Sequence, residues 1–285
     1  MERYNNILSK KILVVGTVRN CESALLSNME QLKNALSRFE NQHWFLVESD
    51  STDNTKTLLE AKKEVDGQWF NFLSLGNLEP TIPSRTERIA YCRNQYLHEL
   101  RTNPLYQDVE LLVVADLDNM QTLISEAGVL SCFDNDDWDV CTANQIGAYY
   151  DIWALRHEFW SPNDCWQCYD FLRKLKVNNH KALITAVYSR MIEIDPLHPL
   201  IEVDSAFGGL GIYKTQILKN ASYIGKSEKN LFRDGMISEH VPFHETVRQN
   251  GGRIVVNPKM INTNSLNQHI EKAIPWIQFT GFEGA

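Results

Sequence analysis

The sequence lacks the long apolar segments that would carry a chain through or into a membrane. Its first residues, MERYNNILSKK, contain no apolar run of signal-peptide length. Nowhere do about 20 uncharged apolar residues follow one another, as a transmembrane helix requires. These absences predict a cytoplasmic protein with no membrane-spanning segment, and they leave peripheral contact with a membrane open.

The six cysteines are not arranged as a disulfide or metal framework. One close pair, Cys165 and Cys168, has the spacing of half a zinc knuckle or of a redox motif, but no second CxxC accompanies it. The other four cysteines are scattered along the chain. We therefore predict free thiols and a reducing compartment.

Positive charge is also in deficit. The chain has 28 Lys and Arg against 36 Asp and Glu, a net charge of -8. This is the wrong sign for a protein that follows a phosphate backbone, so nucleic acid is not an expected partner. A single nucleotide is still compatible, because a local arginine or a bound cation can hold one diphosphate in an acidic protein.

The sequence does contain an alternation of short apolar runs and helical patterns over its first half. This alternation predicts βαβ units and a mostly parallel sheet flanked by helices, an α/β fold. The predicted strands are residues 12–15, 44–47, 69–73, 111–115, 138–142 and 253–256. The predicted helices are residues 22–39, 85–100 and 239–249, with another through Leu58 and Leu59 after the capping residues 51–53. Residues 149–198 are irregular and rich in aromatics and aspartate, which suits an insertion that builds a binding surface.

Two aspartates, Asp116 and Asp118, directly follow the most apolar of the predicted strands. In an open α/β sheet, ligands bind outside the carboxyl ends of the strands. Carboxylate oxygens suit Mg²⁺ or Mn²⁺, and a cation there would neutralise the diphosphate of a nucleotide sugar. The alternative is a polar loop in which the aspartates cap a helix that starts near Gln121.

Several segments resemble the GT-A glycosyltransferases, which use nucleotide-sugar donors. The segments that resemble family 2-like members are residues 12–20 (ILVVGTVRN), 45–55 (FLVESDSTDNT), 88–94 (RIAYCRN) and 113–118 (VVADLD). Residues 149–156 (YYDIWALR) and 204–213 (DSAFGGLGIY) resemble the fungal capsule-associated and mannan-type mannosyltransferases.

The resemblance implies a GT-A fold in which residues 1–120 bind the donor and residues 121–285 bind the acceptor and carry catalysis. It implies transfer of a hexose, with mannose from GDP-mannose as one donor, to a glycan or lipid-linked acceptor. Asp118 would then bind the metal, Asp116 the metal or the ribose, and Asp50 the donor base. The full donor-binding set is Thr17, Arg19, Glu48, Asp50, Asp53, Arg88, Arg93, Asp116 and Asp118.

Two histidines, His240 and His244, would share a helix face if the helix continued through Pro242. Many enzymes with an Asp-x-Asp motif recruit a C-terminal histidine as a further metal ligand. The metal set is therefore Asp116, Asp118, His240 and His244, with Mn²⁺ or Mg²⁺ as cofactor. The alternative for either histidine is a structural role.

An inverting transfer needs a carboxylate to take the proton of the acceptor hydroxyl. Asp204, just before a glycine-rich turn, is the first candidate, and Glu239 and Glu202 are the others. A retaining enzyme needs no such base, and the glycines would then allow close approach of the acceptor. The predicted acceptor-binding residues are Tyr150, Asp151, Trp153, Gly208 and Gly209, where the aromatic side chains would stack on sugar rings.

Two rival functions remain at this point. A sugar-phosphate nucleotidyltransferase uses a related sheet, and residues 16–19 (GTVR) are similar to its glycine-rich loop, but the loop is short and the expected Pro and Lys are missing. A catalytically silent sugar-binding or scaffolding domain would keep the aromatics without needing Asp116 and Asp118.

Overall fold

Eight strands form one mixed sheet in the computed structural model, which describes residues 5–264. The strands are Lys11–Val18 (β1), Asn41–Glu48 (β2), Phe70–Ser74 (β3), Val109–Ala115 (β4), Val140–Ile146 (β5), Ile201–Val203 (β6), Leu210–Lys214 (β7) and Ile254–Asn264 (β8). All six predicted strands are present, and most are longer than predicted. The short strands β6 and β7 were not predicted.

Eight α-helices accompany the sheet within the described residues. They are Asn5–Leu8 (α1), Leu25–Ala35 (α2), Thr55–Asp66 (α3), Arg85–Thr102 (α4), Glu126–Ser131 (α5), Cys165–Lys174 (α6), Asn179–Ala186 (α7) and His240–Gln249 (α8). Between residues 5 and 264, no helix has both the length and the apolar character needed to cross a bilayer.

The strand order across the sheet is β3-β2-β1-β4-β7-β5-β8-β6. The pairings among β3, β2, β1 and β4 and that of β5 with β8 are parallel, whereas β7 runs antiparallel to β4 and β5, and β6 antiparallel to β8. The predicted α/β class with a helix-flanked sheet is confirmed. Because β1 lies between β2 and β4, the strand order reverses there, and a crevice opens outside the carboxyl ends of these strands.

Both faces of the sheet are covered by apolar cores. On one face, β1 and β4 pack against α2 and α5 through residues such as Leu25 and Val129. On the other face they pack against α4 and α8 through residues such as Tyr96 and Phe243. Double burial explains why β4 reads as a continuous apolar run, with Glu110 its one exposed residue.

Two local predictions differ from the structure. Residues 149–198, expected to be irregular, contain α6 and α7. No helix begins near Gln121, because the backbone N–H of Gln121 donates to Asn28 Oδ1, and its side-chain amide donates to the carbonyls of Asp116 and Gly209. The next helix, α5, is capped by Ser125. The alternative in which Asp116 and Asp118 cap a helix at Gln121 is therefore wrong.

The division at residue 120 stays a prediction. Residues 265–285 of the predicted acceptor half lie outside the described residues.

Candidate active site

A cavity of about 690 Å³ lies in the crevice at the carboxyl ends of β1, β2 and β4. Thr17 and Arg19 reach it from the end of β1, Asp50 from the loop after β2, and Asp116 and Asp118 from the loop after β4. Parallel strands end on the same edge of a sheet, so these loops converge although they are far apart in sequence. With Arg88 and Arg93, seven of the nine predicted donor residues line one cavity.

Asp116 is fixed in this cavity from two sides. Its backbone N–H donates to the carbonyl of Gly209 at 2.9 Å, and its Oδ1 accepts from Arg93 Nη2 at 3.1 Å. Asp118 is exposed to the cavity, and no ion pair involves it within residues 5–264. Desolvation by the cavity walls, together with the nearby charge of Asp116, raises the pKa of Asp118 to about 6. Desolvation also raises the pKa of Asp116, against the opposing effect of Arg93.

Arg93 is the most heavily bonded side chain of the site. It is 3% exposed, and its Nε donates to Glu239 Oε1 at 3.0 Å while its Nη2 bonds Asp116. Its guanidinium also lies over the rings of Phe207 and Tyr223, at 5.1 and 5.6 Å from their centroids. Burial alone would lower the pKa of Arg93, but the surrounding charges and phenol groups raise it, so the guanidinium stays charged. Arg93 therefore joins two carboxylates in the cavity.

Arg85 and Arg88 lie in the first turn of α4 and also line the cavity. Arg88 is buried and donates to the carbonyls of Ile82 and Pro83, with its Nε 3.9 Å from Asp50 Oδ2. Arg85 is exposed to the cavity and forms no ion pair within the described part of the chain. Arg88 and Arg93 are buried and so do not belong to a solvated helix face.

The cavity carries equal numbers of fixed positive and negative side chains. Five arginines line it, namely Arg19, Arg85, Arg88, Arg93 and Arg233. Five carboxylates line it, namely Asp50, Asp116, Asp118, Asp151 and Glu239. In a chain with a net charge of -8, this cavity is locally rich in cationic groups that match phosphate geometry.

Asp50 has a left-handed backbone, with φ of 58°, a conformation that aspartate tolerates better than most residues. Its Oδ1 accepts the backbone N–H groups of Leu78 and Glu79 at 2.8 and 2.9 Å. Burial would raise the pKa of Asp50, but these bonds, Ser49 and Arg88 together lower it. Asp50 is thus an ionised carboxylate that faces the cavity and also holds the loop after β3.

Two other carboxylates of the same motif do not line the cavity. Glu48 is buried, and its carboxylate accepts the backbone N–H of Ser51 and the hydroxyl of Ser74. Asp53 accepts the backbone N–H groups of Thr55 and Glu22. These bonds join the ends of neighbouring strands and begin α3, so the structure gives both residues a structural role in place of donor contact.

Asp204, the first candidate for the catalytic base, does not line the cavity. Its side chain is 48% exposed and pairs with Arg248 Nη2 at 2.8 Å. Glu202 is also exposed and pairs with Arg253. Glu239 alone of the three candidates lies in the cavity. The structure therefore separates Asp204 and Glu202 from the site.

His240 and His244 both belong to α8, whose first turn accommodates Pro242. His244 is buried, with Nδ1 2.9 Å from Ser205 Oγ and Nε2 3.1 Å from Tyr213 OH, so both ring nitrogens are occupied. Burial lowers the pKa of His244 to about 3. We therefore correct His244 from a metal ligand to a structural histidine.

His240 lines the cavity, and among residues 5–264 neither ring nitrogen has a hydrogen-bond partner, with Nε2 3.7 Å from Glu239 Oε1. Its ring stacks on Phe207 at 3.9 Å. Over the described stretch 5–264, no group of three or more His, Cys, Asp or Glu side chains is arranged to hold a metal ion. His240 is thus near the predicted aspartates without forming a ligand cluster with them.

Part of the cavity lining is aromatic. Tyr150, Asp151 and Trp153, three of the predicted acceptor-binding residues, line the cavity, and Trp166 and Tyr188 add further aromatic surface. Burial raises the pKa of Asp151 to about 6, although the backbone N–H groups of Gly208 and Ala154 oppose the shift. Flat aromatic faces beside a carboxylate suit a sugar ring.

Gly208 and Gly209 do not line this cavity, but they bond residues that do. Both have positive φ, 66° and 85°. A Cβ on Gly208 would lie 2.8 Å from the carbonyl of Ala143, and the Gly208 N–H donates to Asp151 Oδ2. The glycines let the turn pack closely, and their backbone groups bond Asp116 and Asp151.

Some site residues were missed or left unassigned by sequence reasoning. Phe207 stacks on His240 and lies against Arg93, and Arg233 stacks on Trp166 at 4.6 Å while pairing with Asp170 at 2.7 Å. Arg233 lies in a turn in which three successive residues have positive φ, and no sequence motif signals it. The signal available for Phe207 was its place beside the glycine pair.

Comparisons with known proteins give only distant likenesses. No family model matches the chain, and no curated protein matches it. Three solved structures that resemble it are residues 1–349 of TarS from S. aureus, the mannosyltransferase PcManGT from Pyrobaculum calidifontis in complex with GDP-Man and Mn²⁺, and glucosyl-3-phosphoglycerate synthase from Mycobacterium tuberculosis in complex with Mn²⁺, UDP and phosphoglyceric acid.

TarS is 14% identical, with a TM-score of 0.44 over 89% of this chain and 60% of that one. PcManGT is 13% identical, with a TM-score of 0.48 over 93% of this chain and 59% of that one. The synthase is 13% identical, with a TM-score of 0.39 over 76% of this chain and 60% of that one. The chain thus spans about 60% of the length of each of these proteins.

Proposed function

We propose that this chain is a divalent-cation-dependent glycosyltransferase that moves a hexose from a nucleotide-diphosphate sugar to a hydroxyl of a glycan or lipid-linked acceptor. One observation supports this most strongly. Asp116 and Asp118, at the end of the central strand β4, share a cavity whose lining also contains five arginines and a group of aromatic side chains. A phosphate-rich donor and a sugar acceptor are the ligands that such a cavity suits.

Asp116 and Asp118 fit a divalent cation that takes only two of its ligands from the protein. Mg²⁺ commonly uses one or two carboxylates, with water and substrate phosphates completing its shell. Two aspartates are therefore sufficient when a diphosphate is also present, and the missing third protein ligand does not count against them. Bound there, the cation would supply positive charge that stabilises the departing diphosphate.

Arg85 is the proposed contact for the diphosphate. Its guanidinium faces the cavity without an ion-pair partner in the described residues, whereas Arg88 and Arg93 are already engaged. It lies at the first turn of α4, where the helix dipole also favours an anion. Asp50, fixed by backbone bonds at the end of β2, is the proposed contact for the nucleoside.

Glu239 is the proposed base for an inverting transfer. It is the one candidate carboxylate that lies in the cavity, and Arg93 holds its Oε1 in place. The carboxylate would take the proton of the acceptor hydroxyl as that oxygen attacks the sugar. Trp153, Trp166 and Tyr188 would hold the acceptor ring beside it.

Nucleotide binding tests the donor site. Titration of UDP and GDP into the protein, each with Mn²⁺ and with chelator, should show binding that requires the cation. Tighter binding of GDP than UDP would support mannose from GDP-mannose as donor. Asp118→Asn should weaken cation-dependent binding at least tenfold, whereas Asp108→Asn, at an exposed position away from the cavity, should not. Equal affinity in Mn²⁺ and in chelator would remove the cation from the proposal.

Turnover tests the base. Glu239→Gln should lower kcat by roughly 10²- to 10⁴-fold while nucleotide affinity stays close to wild type. Asp204→Asn is the matched control and should keep its turnover, because Asp204 pairs with Arg248 outside the cavity. Loss of turnover in Asp204→Asn but not in Glu239→Gln would contradict the assignment. Release of pyrophosphate from a nucleoside triphosphate and a sugar phosphate would instead favour the nucleotidyltransferase.

A further inference from the structure

A basic segment interrupts this acidic chain at the hairpin formed by α6 and α7. Between Asp170 and Glu193 the sequence contains no acidic residue. The same stretch contains five basic residues, Arg173, Lys174, Lys176, Lys181 and Arg190. For a protein with a net charge of -8, this is a local reversal of sign.

Within residues 5–264, no carboxylate pairs with the positive charge at the hairpin tip, residues 171–181. Its four Lys and Arg side chains are exposed, and none lies within ion-pair distance of a carboxylate in the part of the chain that the structure describes. Other surface lysines are paired: Lys10 lies 2.6 Å from Glu110, and Lys62 lies 2.6 Å from Asp66. With respect to the described residues, the tip therefore presents unpaired positive charge at the surface.

Two large apolar side chains lie among these charges. Phe171 is 50% exposed and Leu175 is 60% exposed. They are four residues apart at the end of α6, so they project from one side of it. Exposed Phe and Leu beside Lys and Arg are typical of surfaces that lie in the interface of a lipid bilayer. A nucleic acid or a soluble polyanion would match the charges but would leave both apolar side chains in water.

The hairpin also has a fixed relation to the cavity. Cys165 and Trp166 at the start of α6, and Val187 and Tyr188 after α7, line the cavity. The tip and this part of the cavity lining thus belong to one structural unit. A surface that held the tip would lie about the length of α6, roughly 15 Å, from this lining.

We propose that the tip of the α6–α7 hairpin docks on an anionic phospholipid bilayer. The lysines and arginines would contact the lipid headgroups, and Phe171 and Leu175 would enter the boundary with the acyl chains. This inference concerns binding alone and does not depend on the proposed function. Where both hold, the acceptor is a saccharide carried on a membrane lipid.

Vesicle binding tests the proposal with the full chain. Sedimentation with vesicles of phosphatidylcholine and phosphatidylserine should carry the protein down, and vesicles of phosphatidylcholine alone should carry down much less. Each basic residue near an anionic surface strengthens binding about fivefold, so the triple variant K174Q/K176Q/K181Q should bind roughly 100-fold more weakly. High salt should weaken wild-type binding, because the screening length falls from about 10 Å at 0.1 M to about 3 Å at 1 M.

The matched control removes the same charge elsewhere. K56Q/K62Q/K63Q on α3 also loses three lysines, and its vesicle binding should remain at the wild-type level. F171S/L175S should weaken vesicle binding without affecting the melting temperature or nucleotide affinity, which report that the variants are folded. Failure of the wild type to bind phosphatidylserine vesicles, or equal loss in both triple variants, would overturn the proposal. The proposal would also be overturned if F171S/L175S bound vesicles as tightly as the wild type and a DNA oligonucleotide bound in a lysine-dependent way. Those results would indicate a polyanion site.

Discussion

Arg93→Met removes one buried guanidinium from between two carboxylates. Arg93 is 3% exposed and bonds Glu239 at 3.0 Å and Asp116 at 3.1 Å. Methionine fills much of the same volume but carries no charge. The variant would leave two carboxylates facing each other in a cavity with no charge between them.

The expected loss of stability follows from how deeply Arg93 and its two carboxylate partners are buried. Removing one partner of a buried ion pair costs about 3–5 kcal/mol, because the remaining charge stays buried without compensation. The side chain of Glu239 is 10% exposed and that of Asp116 is 30% exposed, so water can reach Asp116 in part. We therefore expect a loss of about 3–4 kcal/mol, a large share of the roughly 5–15 kcal/mol by which a domain is stable.

Urea denaturation followed by tryptophan fluorescence measures this loss. The control is Arg38→Met, which breaks a 3.3 Å pair with Glu126 between two side chains that are each about 40% exposed. That change should cost no more than about 1 kcal/mol. Adding Glu239→Gln to Arg93→Met should recover part of the loss, because it removes one of the two stranded charges. A loss below about 1 kcal/mol in Arg93→Met would refute the view that Arg93 compensates buried charge.

Three further changes test separate parts of the structure. Arg85→Gln should weaken binding of a nucleoside diphosphate by roughly 10- to 100-fold, since a charge-assisted hydrogen bond contributes about 1.5–3 kcal/mol. The affinity for the nucleoside should stay unchanged. Isothermal titration calorimetry with both ligands measures the two affinities. Because the folded-state pKa of His244 is lowered to about 3, the unfolded chain binds a proton that the folded chain excludes between pH 6.5 and about 3. The free energy of unfolding of the wild type should therefore fall as the pH is lowered through this window, by up to about 1.4 kcal/mol per pH unit from His244. In His244→Gln the free energy of unfolding should change less steeply with pH. The control His98→Gln, at an exposed site, should keep the wild-type pH dependence. In thermal denaturation, Gly208→Ala should lose about 1–3 kcal/mol more stability than Gly76→Ala. Both glycines have φ of 66°, but only at Gly208 would a Cβ meet backbone, 2.8 Å from the carbonyl oxygen of Ala143. Equal losses of stability would show that backbone strain alone matters.

The strands and the aspartate pair of β4 were predictable because their signals are local. A run of five apolar residues indicates a doubly covered strand, and the residues that follow such a strand lie at the edge where ligands bind. Asp116 and Asp118 needed no knowledge of distant partners to be placed there. The positions of β6 and β7 were not predictable in this way, because short strands gain their stability from neighbours such as β8 and β4 and carry little pattern of their own.

The carboxylates of residues 48–53 show where local reasoning ends. Glu48, Asp50 and Asp53 belong to one motif, yet only Asp50 lines the cavity. Glu48 accepts a hydrogen bond from the hydroxyl of Ser74 on the neighbouring strand, and Asp53 accepts one from the backbone N–H of Glu22. Each partner lies more than 25 residues away in sequence, so the motif identifies the region while the tertiary contacts select the residue.

We propose Glu239 in preference to Asp204 as the base because of where each lies relative to α8. His240, His244 and Arg248 follow one another at intervals of four residues on α8 and so share one side of it. The first turn, with Glu239, borders the cavity; the second turn places His244 in the core; the third places Arg248 at the surface, where it binds Asp204. Arg248 lies eight residues beyond His240, roughly 12 Å along the axis of α8, and Asp204 pairs with it outside the cavity. A base must contact the acceptor hydroxyl, so we propose Glu239, which lines the cavity, in preference to Asp204, which does not.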